Sequence, residues 1–239
     1  MTHFLIIRYM KIIVALTSWN KRITQAEATV RSLINQTRKP DLIEFNLDYE
    51  NFPNAMKDLP VWITEVKKEF PNFNVHFNEI DLKVYAKLMP TIVRHYDDDS
   101  YILVTLDDDV NYPPTYLEEI EKNIVGVDWL CTQHDDITQG QYMVYGPNAI
   151  KAFALEVDMD LIKNVPLDDH ALFWIMQKYK LKRGKKINAK CEDRQEGYSF
   201  RRFFIQAEDV SKLKDSSCDY PVEEFEKERD YMRSKGILK

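Results

Sequence analysis

The chain has 239 residues, with 33 Lys or Arg against 39 Asp or Glu, a formal net charge of −6 with neutral histidines. That balance argues against a general nucleic-acid binder, which presents a basic surface. Hydrophobic residues at 44% and aromatics at 12% exclude a disordered chain, and only 6 glycines exclude collagen-like or Gly-rich architectures.

The length fits one domain spanning 1–239. Neither GxGxxG nor GxxxxGK[ST] occurs, so the common phosphate-cradling loops are absent. Cys131, Cys191 and Cys218 form no CxxC pair, which excludes a disulfide framework or zinc ribbon and fits a reducing, cytoplasmic setting. The apolar run at 4–16 is broken by Arg8 and Lys11 and lacks a small-residue cleavage site. It reads as a buried first strand, with Met10 a candidate start.

In chain order, residues 11–17 (KIIVALT) predict a strand buried on both faces. Thr24 and Glu27 have capping-box spacing, and Ala26, Val30, Leu33 and Ile34 then repeat with helical period. After Pro40, residues 42–47 predict a second strand ending at Asp48. Residues 60–70 predict a helix, PNFN a turn, and 75–80 a third strand. The stretch 83–96 has helical period but contains Pro90, so regular helix is expected from Met89, after an irregular approach over 83–88. Residues 101–106 (YILVTL) predict the fourth strand. Such βα alternation implies a mainly parallel sheet with ligands at its carboxyl edge. Beyond it we expect helices at 113–124, 147–155, 168–179 and 221–233, and strands at 129–133 and 141–145.

Asp107, Asp108 and Asp109 follow the fourth strand directly. Three carboxylates there repel one another unless a cation or hydrogen-bond donors compensate, and a hard divalent cation such as Mg²⁺ or Mn²⁺ would do so. A second triplet, Asp97–Asp99, precedes the strand, on the side opposite the expected crevice, and reads as a solvated loop. An EF-hand reading fails because Tyr112 stands where the loop needs Gly, and a haloacid-dehalogenase-type phosphatase would want Thr or Val at Asn111.

With these pieces in place, the sequence resembles a GT-A fold glycosyltransferase, similar to family-2-like bacterial enzymes that build surface polysaccharide. The resemblance rests on IIVALTSWNKRI (12–23), SLINQTRKPDLIEFNL (32–47), DLKVYAKLMP (81–90), VTLDDDVNYPPTYLEEI (104–120) and PLDDHALFWIM (166–176). It implies an α/β, Rossmann-like sheet with a nucleotide-sugar-binding half at 11–110, an acceptor-side half at 111–200 and a C-terminal extension at 201–239.

The resemblance further implies a UDP- or GDP-linked sugar as donor, a divalent cation (Mn or Mg), and a glycan or lipid-linked hydroxyl as acceptor. Thr17, Ser18 and Asp48 would contact base and ribose, although a turn role suits all three equally. Asp81, Lys83 and Lys87 would approach the phosphates, or be solvated helix-face residues. Asp107 would lie toward the ribose with Asp108 beside it, and Asp109 would ligate the metal with Asp107. His134 and His170 are candidates for a further ligand. Asp168 and Asp169 open a helix, where Asp169 would be the general base and Asp168 its acceptor-orienting neighbour; helix capping is the competing explanation. A direct displacement would invert the anomeric centre. The basic run 178–190 holds seven Lys or Arg and suits a peripheral contact with the inner membrane face, or a plain solvated hairpin. Two rival functions stand beside this one. One is a sugar-phosphate nucleotidyltransferase, which would want a Gly-rich loop after the first strand; the other is a catalytically silent nucleotide- or glycan-binding module.

Overall fold

The computed structural model describes residues 10–132, 143–187, 192–193 and 222–238. Its centre is a six-stranded sheet in the order β3-β2-β1-β4-β7-β6. The strands are β1 (Lys11–Thr17), β2 (Leu42–Asp48), β3 (Phe73–Asn78), β4 (Tyr101–Thr105), β6 (Trp129–Cys131) and β7 (Met143–Tyr145). The pairs β1–β2, β1–β4 and β2–β3 are parallel, and β7 runs antiparallel to both β4 and β6. The sheet is mainly parallel and flanked by helices, as expected. A two-residue strand β5 (Val110–Asn111) pairs with β8 (Glu192–Asp193) in a separate small ladder that the sequence did not foretell.

Alternation along β1 builds two cores. Ile12, Val14 and Leu16 face α1 (Ala26–Ile34), α2 (Trp62–Glu69) and α4 (Tyr116–Asn123). Ile13 and Ala15 face α3 (Met89–His95), α5 (Pro147–Glu156) and α7 (Asp168–Lys178). With both faces covered, β1 must be apolar throughout, which is the pattern its sequence carries.

Some boundaries differ from expectation. The chain turns over 19–25 with Arg22 and Ile23 amides donating to Trp19 O, so α1 begins only at Ala26 and no side chain caps it. Glu27 instead pairs with Arg31 at 2.7 Å, one turn on. β3 starts at Phe73, two residues early, because that ring is buried against Phe45 and Trp62. The approach to α3 is a 3₁₀ turn at Lys83–Lys87. A short helix, α6 (Met159–Asn164), was not anticipated; Asp158 caps it by accepting from Leu161 N at 2.7 Å.

The C-terminal helix α8 (Val222–Ser234) docks on α6 and α7, a partner the sequence could not name. Phe225 packs edge-on to His170 and against Trp174, and Tyr231 Oη donates to Asp160 at 2.8 Å.

Candidate functional site

β1 lies where the strand order reverses, between β2 and β4, and open α/β sheets hold ligands in the crevice at such a point, outside the carboxyl ends. Thr17 ends β1 there with Ser18 just beyond it, and Asp107–Asp109 follow β4. The triplet's backbone is tied to α1: Thr29 Oγ1 lies 2.8 Å from both Asp108 O and Val110 O, and Ser32 Oγ accepts from Tyr112 N at 3.1 Å.

Two cations divide the three carboxylates. Arg22, from the turn after β1, places Nε 3.2 Å from Asp108 Oδ2 and a terminal nitrogen 3.1 Å from Asp109 Oδ2. The other terminal nitrogen reaches Asp108 Oδ1. Both carboxylates are buried, whereas a third of Arg22 is open to solvent. Burial pushes Asp108 up from the ordinary carboxylate range, against the pull of Ser18 and Arg22. Burial also opposes the charge on Arg22, but Asp108 and Asp109 outweigh it and raise its pKa.

Lys87 is the second cation. It is buried, and its Nζ stands 3.6 Å from Asp107 Oδ1 and 3.3 Å from Asp168 Oδ2. Burial works against its charge, yet Asp168, Asp107 and Asp169 hold its pKa above the usual lysine value. One ammonium therefore joins the end of β4 to the start of α7. Burial, with Asp169 adding to it against Lys87, pushes Asp168 up to about 6.

The two acids in the first turn of α7 divide: Asp168 turns inward, and Asp169 takes up a first-turn amide as a capping residue would. Leu167 is the N-cap and no side chain bonds there; the Asp168 carboxylate turns inward to Lys87. Asp169 is less buried than Asp168, and its Oδ1 accepts from His170 N at 3.0 Å. His170 points away from the triplet: its Nδ1 is 2.8 Å from Glu228 of α8, both groups buried. Burial opposes its protonation and Glu228 more than restores it. It is a helix-docking residue rather than a further ligand. His134 lies outside the described residues.

The remaining candidates stand apart from this cluster. Thr17 Oγ1 donates to Asn46 O at 2.6 Å, and Asp48 accepts from Asn51 N at 2.7 Å, so both serve turns and strand ends. Asp81 and Lys83 pair with each other, and Glu50 accepts from Asp81 N at 3.1 Å. In the basic run, Lys178 pairs with Glu156, Lys182 Nζ donates to Gly126 O, and Arg183 lies over the Trp129 ring; residues 188–190 are outside the described set. No helix among the described residues is long and apolar enough to cross a membrane.

The divalent cation implied by the resemblance can be tested against this donor set. Asp109 faces Arg22 and Asp107 faces Lys87, so the two expected ligands serve different internal cations. Among the described residues no group of three or more His, Cys, Asp or Glu could hold a metal ion. As arranged, the residues do not fit that ion. Arg22 is the residue the sequence reading missed; its only signal there was a basic pair, Lys21 and Arg22, in the turn after β1.

No protein-family model matches this chain, and no curated protein matches it in sequence. Solved structures do match. TarS residues 1–349 from S. aureus is 13% identical over 76% of this chain, with a TM-score of 0.51. The same protein with UDP gives 0.52 at 13% identity, again over 76% of this chain. With UDP-GlcNAc it gives 0.55 at 12% identity, covering 93% of this chain and 72% of that one. In the first two matches this chain spans 58% of the TarS fragment. At such identities the likeness establishes the fold, which is GT-A.

Proposed function

We propose that this protein is a glycosyltransferase that moves a sugar from a nucleotide diphosphate donor to a hydroxyl of a glycan or lipid-linked acceptor, with inversion. The observation that carries the reading is Lys87, whose ammonium links Asp107 at the donor edge of the sheet to Asp168 at the head of α7. A pure binding module needs no buried cation tying its ligand edge to an acidic helix start. The TarS structures with UDP and UDP-GlcNAc support a nucleotide-sugar donor in a sheet of this topology.

In this mechanism the donor lies across the carboxyl ends of β1 and β4, with base and ribose toward Thr17, Ser18 and Asp48. Asp169, the more open carboxylate, accepts the proton of the acceptor hydroxyl. That oxygen bonds to the anomeric carbon as the bond from that carbon to the β-phosphate oxygen breaks, and the nucleoside diphosphate leaves with the electron pair. Lys87 and Asp168 are positioning residues: their pairing fixes the first turn of α7 against β4. Because the donor set does not fit a divalent cation as arranged, no step is routed through one.

The test is a thermal-shift screen with UDP, GDP and their sugars, followed by transfer assays on wild type and Asp169→Asn. We expect donor binding in both and transfer lowered about 10²- to 10⁴-fold in the variant. Donor binding without hydrolysis or transfer by wild type would sink the enzyme reading in favour of a binding module.

A further inference from the structure

We infer that Arg22, clamped by Asp108 and Asp109, is the cation that meets the donor's diphosphate, in the place the resemblance gives to a divalent ion. This rests on the crevice being the donor's, as proposed above, and goes beyond it in assigning the phosphate contact. A guanidinium has five N–H donors in a fixed fork. Two donate to the carboxylates, Nε to Asp108 and one terminal nitrogen to Asp109, while the other terminal nitrogen is in ion-pair contact with Asp108 Oδ1. The terminal nitrogens keep further N–H groups for a ligand, and a third of the side chain is open to solvent.

The position suits the role. Arg22 comes from the turn after β1 and its clamp from the end of β4, so the guanidinium spans the switch point between those strands. Bare, Asp108 and Asp109 would repel a diphosphate; with Arg22 between them their negative charge is partly offset, and the open N–H groups of a guanidinium fixed in plane stand at the edge to meet a phosphate oxygen locally. Two buried carboxylates on one fork fix its plane, and a lysine, a point charge on a flexible stem, could not be held in this way. Asp108 and Asp109 thus act through Arg22.

Calorimetric titration of the full chain with UDP and with inorganic pyrophosphate, each in EDTA and in Mn²⁺, tests the inference. We expect wild type to bind both ligands with the same affinity in the two buffers. Arg22→Gln should lose about tenfold or more in both, as removal of a hydrogen bond to a charged group does, with Arg22→Lys between them. A wild type that binds only with Mn²⁺, or a folded Arg22→Gln with undiminished affinity, overturns it. Should Arg22→Gln fail to fold, as judged by circular dichroism, the wild-type buffer comparison and Arg22→Lys still decide. Pyrophosphate bound through Arg22 with neither UDP nor GDP bound would sink the nucleotide-sugar reading and leave the arginine's role standing.

Discussion

Strand β4 has an acidic triplet at each end, and the two are identical in composition. At its amino end Asp98 pairs with Lys11 at 3.3 Å and Asp99 with Lys151 at 2.7 Å, with side chains 32% and 53% exposed. At its carboxyl end Asp108 and Asp109 are 1% and 5% exposed, and Asp107 shares Lys87 with a helix from the other half of the chain. The outer triplet takes lysines that water could replace; the inner one takes cations that are themselves held in place. Burial, not charge count, separates a solvated loop from a site.

Lys87 carries the largest expected effect. Lys87→Met leaves Asp107 and Asp168 without the cation between them, and removing one partner of a buried pair costs about 3–5 kcal/mol. Urea denaturation should show a loss of that order; a loss under about 1 kcal/mol would mean the two carboxylates are solvated like the outer ones. Asp108→Asn is expected to cost less, about 1.5–3 kcal/mol for weakened charge-assisted hydrogen bonds to Arg22, read the same way.

Titration separates the two ends with opposite signs, Asp168 beside the carboxyl end through Lys87 and Asp98 at the amino end. Asp168 is raised to about 6 in the fold, against about 3.9 in an unfolded chain. Between those values the folded protein binds the proton and the unfolded chain has released it, so stability falls as pH rises through that window. Asp168→Asn should remove that fall in a pH series of melting curves. Asp98 is lowered to about 2, chiefly by the Ser100 hydroxyl and amide. Its contribution is complete above about pH 4 and is lost as pH drops toward 2. The smallest effect belongs to Asp98→Asn at neutral pH, under about 1 kcal/mol, because Asp98 is about a third exposed and water screens most of what its lowered pKa would otherwise contribute; a larger value would show that the outer triplet is structural too.

Much of this was legible in the sequence. Runs such as KIIVALT and YILVTL, short, apolar and rich in β-branched residues, read as strands covered on both faces, and that placed Asp107–Asp109 at a carboxyl edge and Asp97–Asp99 at the opposite one. Asp168 and Asp169 at the head of α7 were legible for the same local reason. What was hidden depends on distance in space rather than in sequence. Nothing local says that Arg22 reaches Asp108 and Asp109, or that Lys87 turns inward while Lys83, one 3₁₀ turn earlier, stays at the rim with Asp81. The His170–Glu228 pair that seats α8 is equally non-local. Thr24 and Glu27 misled because the preceding turn already supplies helix-like backbone bonds, which leaves a cap nothing to do.

The antiparallel strand β7 has a consequence for how the chain is made. Until Met143–Tyr145 emerges from the ribosome, β4 has no neighbour on one side, since those residues pair with Leu103–Thr105. A nascent chain paused before that point exposes a row of free amides and carbonyls on an apolar strand, an edge that recruits other chains. Truncations ending between β4 and β7 should therefore aggregate during expression, while the end of β4 would already carry its acids and Arg22. The acidic edge is made early, and its protection arrives late.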